Sequence, residues 1–345
     1  MNKYYDYFAE VQEKRIKLNN YNRLKYSHLD LKKKPMKDWG DSIHPDVSAC
    51  QSISGITDKE VIHNMLDLHL PCSFAIHGKF WMQSPYYSAD DDHYYIIDNP
   101  VLKEKVFKIP MMRGSSWKGV LASAIRRIMQ KNKKDLFDNY LSFVRLFGAG
   151  SEEFRKLIDL VSEKEIKNND FQKKLRWYAL TKLGKTINLT DNNLDKKIWD
   201  GIKQKSLQVQ RGRLIFYPTY FDKLGLEMIN PHKRRTKAGT KPVYYEVAPK
   251  DAQGVFQLLY IPADGITKSN GNLQKEVQKD LDLLTAGLQR IFQENGNNAQ
   301  VKIGAKTKLG WGRVRADHLD FITRKGDSLN SPDSSFLKLY TGGAK

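Results

Sequence analysis

Cysteine is nearly absent. Cys50 and Cys72 are the only two, and they show no paired spacing, which excludes a Cys-based zinc module and a disulfide scaffold. No apolar run approaches the roughly 20 residues that a spanning helix needs. The first residues, MNKYYDYFAEVQEKR, lack an apolar signal core. Together these absences lead us to expect a cytoplasmic protein with no membrane partner. Acidic residues are also short, 39 Asp and Glu against 58 Lys and Arg, giving a formal charge of +19. An excess of that size favours a polyanionic partner, most simply nucleic acid. An anionic membrane would instead concentrate cations on one amphipathic helix or beside an anchor, and here they spread along the whole chain.

What is present suffices for a folded protein. At 345 residues and 40% hydrophobic content, the chain can build one large domain or two modest ones. Its 17 Tyr, 15 Phe and 6 Trp supply flat rings that either fill a core or stack on bases.

The chain is organised around the segment from Ile97 to Arg127. A short apolar run ends in Pro110. A turn through Arg113, Gly114, Ser115 and Ser116 follows, then a helix with Val120, Leu121, Ala124, Ile125 and Ile128 on one face. Ser115 or Ser116 is expected to cap it, with Lys118, Arg126 and Arg127 off the apolar face. A glycine-serine helix start beside Arg113 and Lys118 is a natural seat for phosphate. The same residues also fit an ordinary capped helix with solvated lysines.

Residues 1–70 read as a helical N-terminal extension. A helix is expected over Ile56 to Leu68, capped by Thr57 with Glu60 three residues on, and His63 and His69 are expected at the surface. Cys72 to Met82 reads as a strand. The run Asp90, Asp91, Asp92 suits either a hard divalent cation or a solvated loop tip. Leu136 to Phe147 and Glu152 to Leu160 are helical patterns, and the polar stretch at about 162–205 reads as an insertion. Arg211 to Phe221 is the clearest strand, with Arg211 and Arg213 in its basic glycine turn. His232, Lys233, Arg234 and Arg235 open a basic loop that fits a phosphate-contacting arm or a solvated linker. Tyr244 to Val247 and Val255 to Ile261 are expected to pair as a hairpin, ahead of an amphipathic helix from Val277 to Phe292. The last ordered unit, Val301 to Arg315, interleaves glycines with Lys306, Lys308 and Arg313 around Trp311, which fits a nucleic-acid backbone. Residues 326–345 read as a flexible tail.

In this order the pieces resemble the RAMP superfamily, the repeat-associated proteins that build CRISPR effector complexes. Met112 to Gly119 (M-R-G-S-S-W-K-G) is similar to the family's proline-glycine-serine-serine-x-lysine-glycine turn, with Arg113 in place of proline. Gly212 to Phe221 resembles its central strand, the late amphipathic helix its counterpart, and Gly304 to Gly312 its C-terminal glycine-rich loop. The resemblance covers roughly residues 72–320. It implies an α+β fold with a ferredoxin-like (RRM-like) core over 71–325. It also implies binding of guide RNA (crRNA) through basic loops without sequence readout, beside other RAMP subunits and complementary target RNA. Ile97 to Val101 (I-D-N-P-V) resembles a segment of the type III backbone subunit whose aspartate cuts target RNA. That role falls on Asp98, with a divalent cation, Mg or Mn, as its partner. Asn230 to His232 (N-P-H) looks more like the subunit capping the type III-B complex, which is not generally assigned cutting. Two alternatives stay open: a ribonuclease using Asp98 or one of His77, His93 and His232, and a stand-alone RNA-binding protein.

Overall fold

The computed structural model of the protein describes residues 44–90, 99–131, 135–148, 168–178, 194–206, 211–231, 242–265, 269–293, 301–330 and 335–340. Two short helices come first, α1 (Ser48–Ile53) and α2 (Lys59–Leu66). Asp58, not Thr57, caps α2. Its carboxylate accepts the Glu60 amide at 3.1 Å, while the Thr57 amide is drawn to the Gln257 side chain at 3.1 Å. His63 is also not at the surface. It shares the inward face of α2 with Ile62 and Leu66 and meets the Tyr340 ring edge-on.

The chain then forms β1 (Phe74–Met82), β2 (Met111–Met112), α3 (Gly114–Lys131) and α4 (Leu136–Phe147). Next come α5 (Asn169–Tyr178), α6 (Leu194–Ser206), β3 (Leu214–Phe216) and β4 (Thr219–Tyr220). The expected strand over 211–221 is split, because Pro218 has no amide to give a ladder. β3 joins the main sheet and β4 pairs with β2. β5 (Gly225–Ile229), β6 (Val243–Val247), β7 (Gln253–Tyr260) and α7 (Asn270–Phe292) follow. The last strands are β8 (Val314–Arg315), β9 (Leu319–Thr323) and β10 (Leu337–Tyr340).

The class is mixed α+β, as expected. The main sheet runs β10-β9-β1-β7-β3, with β8 beside the end of β1. β9, β1, β7 and β3 are each antiparallel to their neighbours, and β10 joins β9 in parallel. Two expectations are corrected here. β6 does not pair with β7 but forms a separate ribbon with β5. β7 is buried almost throughout, and a strand covered on both faces belongs inside a sheet. The expected flexible tail contributes β10, whose Leu337 is fully buried.

Alternation along β1 sorts its side chains. Phe74, Ile76, Phe80 and Met82 face α3 and α7 and join Trp117, Leu121, Ile125, Leu284 and Phe292 in the main core. Ala75 faces the other way, against Ile62 and Leu66 of α2. α5 and α6 add to the main core through ring contacts of Phe171 with Phe137 and of Trp199 with Tyr140.

One buried ionic knot ties these layers. Asp280 of α7, fully buried, accepts Arg145 Nε of α4 at 3.0 Å and the Tyr260 hydroxyl of β7 at 2.8 Å. Arg213, just before β3, reaches Asp280 at 3.3 Å, Asp264 at 2.6 Å and Glu276 at 2.6 Å. Burial pushes the Asp280 carboxyl up, and the two guanidiniums and the hydroxyl draw it back. Replacing Asp280 with Asn removes the carboxylate that buried Arg213 and half-buried Arg145 share, leaving Arg213 with Asp264 and Glu276 and Arg145 with Glu276 at 3.9 Å, and is expected to cost about 3 kcal/mol. The check is the urea midpoint, which should fall with an unchanged m value.

Candidate nucleic-acid interface

The start of α3 is set by close approach. A Cβ at Gly114 would come within 2.4 Å of the Phe216 carbonyl oxygen, so glycine alone lets the helix begin against β3. Helix therefore begins one residue earlier than expected, and neither Ser115 nor Ser116 is the cap. The Arg113 carbonyl accepts the amides of Ser116 (3.0 Å) and Trp117 (3.3 Å). Arg113 and Ser115 are exposed and Ser116 half-buried, so both hydroxyls lie in the first turn. Lys118 is half-buried, and burial alone pulls its ammonium below the ordinary lysine range. Among the described residues no carboxylate offsets that shift.

The glycine-rich loop is held just as tightly. Gly304, Gly310 and Gly312 all have positive φ (74°, 93° and 82°). A Cβ at Gly312 would lie 1.9 Å from the Ile303 carbonyl oxygen, which forbids any other residue there. Amides of Ala305 and Gly312 donate to Tyr87 and Pro85 carbonyls at 2.7 and 2.9 Å. The tip presents Lys306 and Lys308 to solvent, with Lys306 Nζ 5.0 Å from the Tyr245 ring centre.

Tyr86 and Tyr87 join the two units. The Tyr86 hydroxyl donates to the Met111 carbonyl at 3.4 Å and feels the Arg113 charge. A Cβ at Gly304 would come within 2.8 Å of its ring. The helix start and the glycine-rich loop therefore flank one pair of tyrosines. Arg113, Lys306 and Lys308 form no ion pair among the described residues.

The remaining candidates separate. Arg213 is not an RNA contact: its side chain is 2% exposed and saturated by three carboxylates, because the turn before β3 points into the core. Trp311 is not a stacking platform either. It is buried, edge-on to Tyr87 and Tyr245 at 6.3 and 5.6 Å, because the glycines on either side fold it inward. Arg126 lies 13 residues along α3 from Arg113, roughly 20 Å at helical rise. Arg211 is exposed beside Gly148, at the far end of β3 from Gly114. Arg313 is exposed on a second surface. Asp98, His232, Lys233, Arg234 and Arg235 lie outside the described residues, as do His93, Asp91 and Asp92. The residue after Asp98 is fixed: the Asn99 side-chain amide donates to the Tyr244 carbonyl at 3.0 Å, and its carbonyl accepts the Glu246 amide at 3.0 Å. Lys103 and Glu246 form a buried ion pair alongside.

That second surface escaped the sequence reading. It is a cleft of about 600 Å³ lined by Trp81, Lys250, Arg313 and Arg315. Its signal was the strand F-A-I-H-G-K-F-W-M, whose alternation sets His77, Lys79 and Trp81 on one face. His77 is half-buried, and burial draws its imidazole down. Cys50 is buried and free, its thiol pushed up to about 12 by burial. Among the described residues no group of three or more His, Cys, Asp or Glu could hold a metal ion, and no helix is long and apolar enough to cross a membrane.

The fold defines an α+β protein, and Arg113, Lys306 and Lys308 form a cationic ledge on backbone shaped by glycine, with no ion-pair partner among the described residues. The chain belongs to the RAMP superfamily, whose family model matches residues 95–315. No curated protein matches the sequence. Similar solved structures include a chain from "Cryo-EM structure of the Type III-B Cmr-beta bound to cognate target RNA". That chain is 11% identical with a TM-score of 0.39, covering 92% of this chain and 88% of that one. Another is the crystal structure of Cmr6 from Pyrococcus furiosus, 17% identical with a TM-score of 0.32, covering 70% and 98%.

Lys118 supplies a test of the ledge. A phosphate seated beside Lys118 would favour its charged form, so the expected affinity for a polyanion such as RNA is full below the lowered pKa and is lost as pH rises through it. Lys118→Arg, which stays charged, is expected to hold its affinity further into the alkaline range. Titrations across pH decide this, and identical profiles for the two proteins would remove Lys118 from the seat.

Proposed function

We propose that this chain is a guide-RNA-binding subunit of a type III CRISPR ribonucleoprotein, gripping the RNA backbone without reading its sequence. The observation that carries the reading is the ledge itself. Arg113, Lys306 and Lys308 are exposed beside backbone that only glycine permits, and none has an ion-pair partner among the described residues. Exposed cations around a close-approach backbone suit phosphate, which brings its own charge and accepts from both ammonium and amide groups. Lysine ammoniums and backbone amides suit phosphate oxygens, and contacts of that kind position the RNA and carry no sequence information.

The core supports the same reading. The path from β1 through α3 to β3, then back through β7 and α7 to β9, gives the order β9-β1-β7-β3 with every pair antiparallel. That order supports reading the core as ferredoxin-like (RRM-like), whose elements run strand-helix-strand-strand-helix-strand. The likeness of Ile97 to Val101 and of Asn230 to His232 to type III subunits is what points to that class of complex, with target RNA and other RAMP subunits as partners.

Purified from its native host, the protein should carry RNA of defined length together with partner subunits. In isolation, Arg113→Ala, Lys306→Ala and Lys308→Ala are each expected to weaken binding to unrelated RNA sequences by a similar factor. Each should lower the slope of log affinity against log salt by about 1. Affinity that hardly changes between low and moderate salt would sink this reading.

A further inference from the structure

The sheet face turned away from α3 and α7 is only partly covered. α2 shields its first part, where Ala75 is buried against Ile62 and Leu66. Past that cover, Lys79 and Trp81 emerge into solvent, with Trp81 40% exposed. A ring of that size on a sheet face normally finds a covering partner. Its cross-strand neighbours are Gln253 of β7 and Arg315 of β8, so a cation stands directly opposite the indole at the side-chain contact distance of paired strands. Lys79 lies two residues back on the same face.

Trp81 lines the cleft that Lys250, Arg313 and Arg315 wall. It also lines a neighbouring hollow of about 740 Å³ that holds Lys79 and His77. Two carboxylates share the cleft, Asp251 and Asp317. Asp317 is engaged by Arg315 at 3.1 Å, whereas Lys79, Lys250 and Arg313 form no ion pair among the described residues. The neighbouring hollow adds Lys59 and Lys79 against Asp58 and Asp320, so cleft and hollow together hold five cations against four carboxylates, an excess of one cation around an apolar ring. Next to Trp81, the Gln83 amide donates to the Arg313 carbonyl at 2.9 Å and the Arg313 amide to Ser84 Oγ at 2.9 Å. Residues 83–87 thus lead from this groove to the tyrosines that join the two halves of the ledge.

We propose that this groove is a second RNA subsite. It takes single-stranded RNA, with one base stacked on Trp81 and the phosphates on either side held by Lys79 and by Arg313 and Arg315. A ring flanked by cations on both sides matches the alternation of base and phosphate along a single strand. An acidic segment of a neighbouring protein would use the cations and leave the ring without a counterpart. The inference rests on the RNA-binding reading and adds to it a contact to the bases themselves, tolerant of sequence because every base has a π-face.

The test compares full-length wild type, Trp81→Ala and Trp81→Phe by fluorescence anisotropy on a labelled oligouridine and on an abasic strand of the same length. Circular dichroism confirms folding, and Trp81→Phe preserves a ring should the alanine variant prove unstable. Trp81→Ala is expected to weaken oligouridine binding roughly tenfold, with Trp81→Phe within about threefold of wild type. Both variants should bind the abasic strand as wild type does, and Lys79→Ala with Arg315→Ala should weaken both strands. Unchanged oligouridine binding by Trp81→Ala overturns the proposal. If Arg113→Ala and Lys306→Ala still weaken binding in that case, the groove falls and the RNA-binding function stands. If wild type binds neither strand, both fall. Trp81-dependent binding of oligoglutamate combined with Trp81-independent binding of RNA also overturns it and assigns the groove to an acidic protein partner.

Discussion

Asp280 is the fixed point of this molecule. One buried carboxylate receives a guanidinium from α4, a second from the turn before β3 and a hydroxyl from the end of β7. Three elements far apart in sequence are thereby located relative to α7. A buried ion pair contributes little net stability over apolar packing, but it admits only one geometry. That geometry sets where β3 lies, and Phe216 of β3 in turn meets Gly114 and fixes where α3 begins. The position of the cationic ledge is thus a consequence of an ionic contact in the interior.

The same logic explains which parts of the fold were legible in the sequence. β1, α3, α4 and the apolar stripe of α7 follow from periodicity, because each buries one face against the core. Pairing did not follow. The hairpin expected between Tyr244 and Ile261 is replaced by β5 with β6, since register depends on neighbours that arrive from elsewhere in the chain. β10 was missed for a related reason: four residues of a polar tail become a strand only because β9 offers an edge.

The site was legible in part. The helix after Met112 is legible to within one residue, though its cap is not Ser115 or Ser116, and the glycine-rich loop carries Lys306 and Lys308 to solvent as expected. Arg213 and Trp311 were misassigned because residue type alone does not say which way a side chain points. A basic glycine turn looks the same in sequence whether its arginine meets phosphate or three carboxylates. A tryptophan between glycines looks exposed until positive φ at Gly310 and Gly312 turns it inward. Trp81, by contrast, sits in a strand that reads as a strand only, until its alternation is followed to the exposed face.

The central position of β1 has a consequence for how the chain is made. Phe74 pairs with Tyr260 on one side and with Thr323 on the other, so both edges of this strand stay open while the intervening residues are synthesised. A strand carrying Phe74, Ile76 and Phe80 with unpaired edges is a template for unwanted pairing. Closing it requires contacts of long sequence separation, which form slowly. α2 covers only the Ala75 face, so the face bearing Phe74, Ile76 and Phe80 and both edges of β1 wait for α3, β7, α7 and β9.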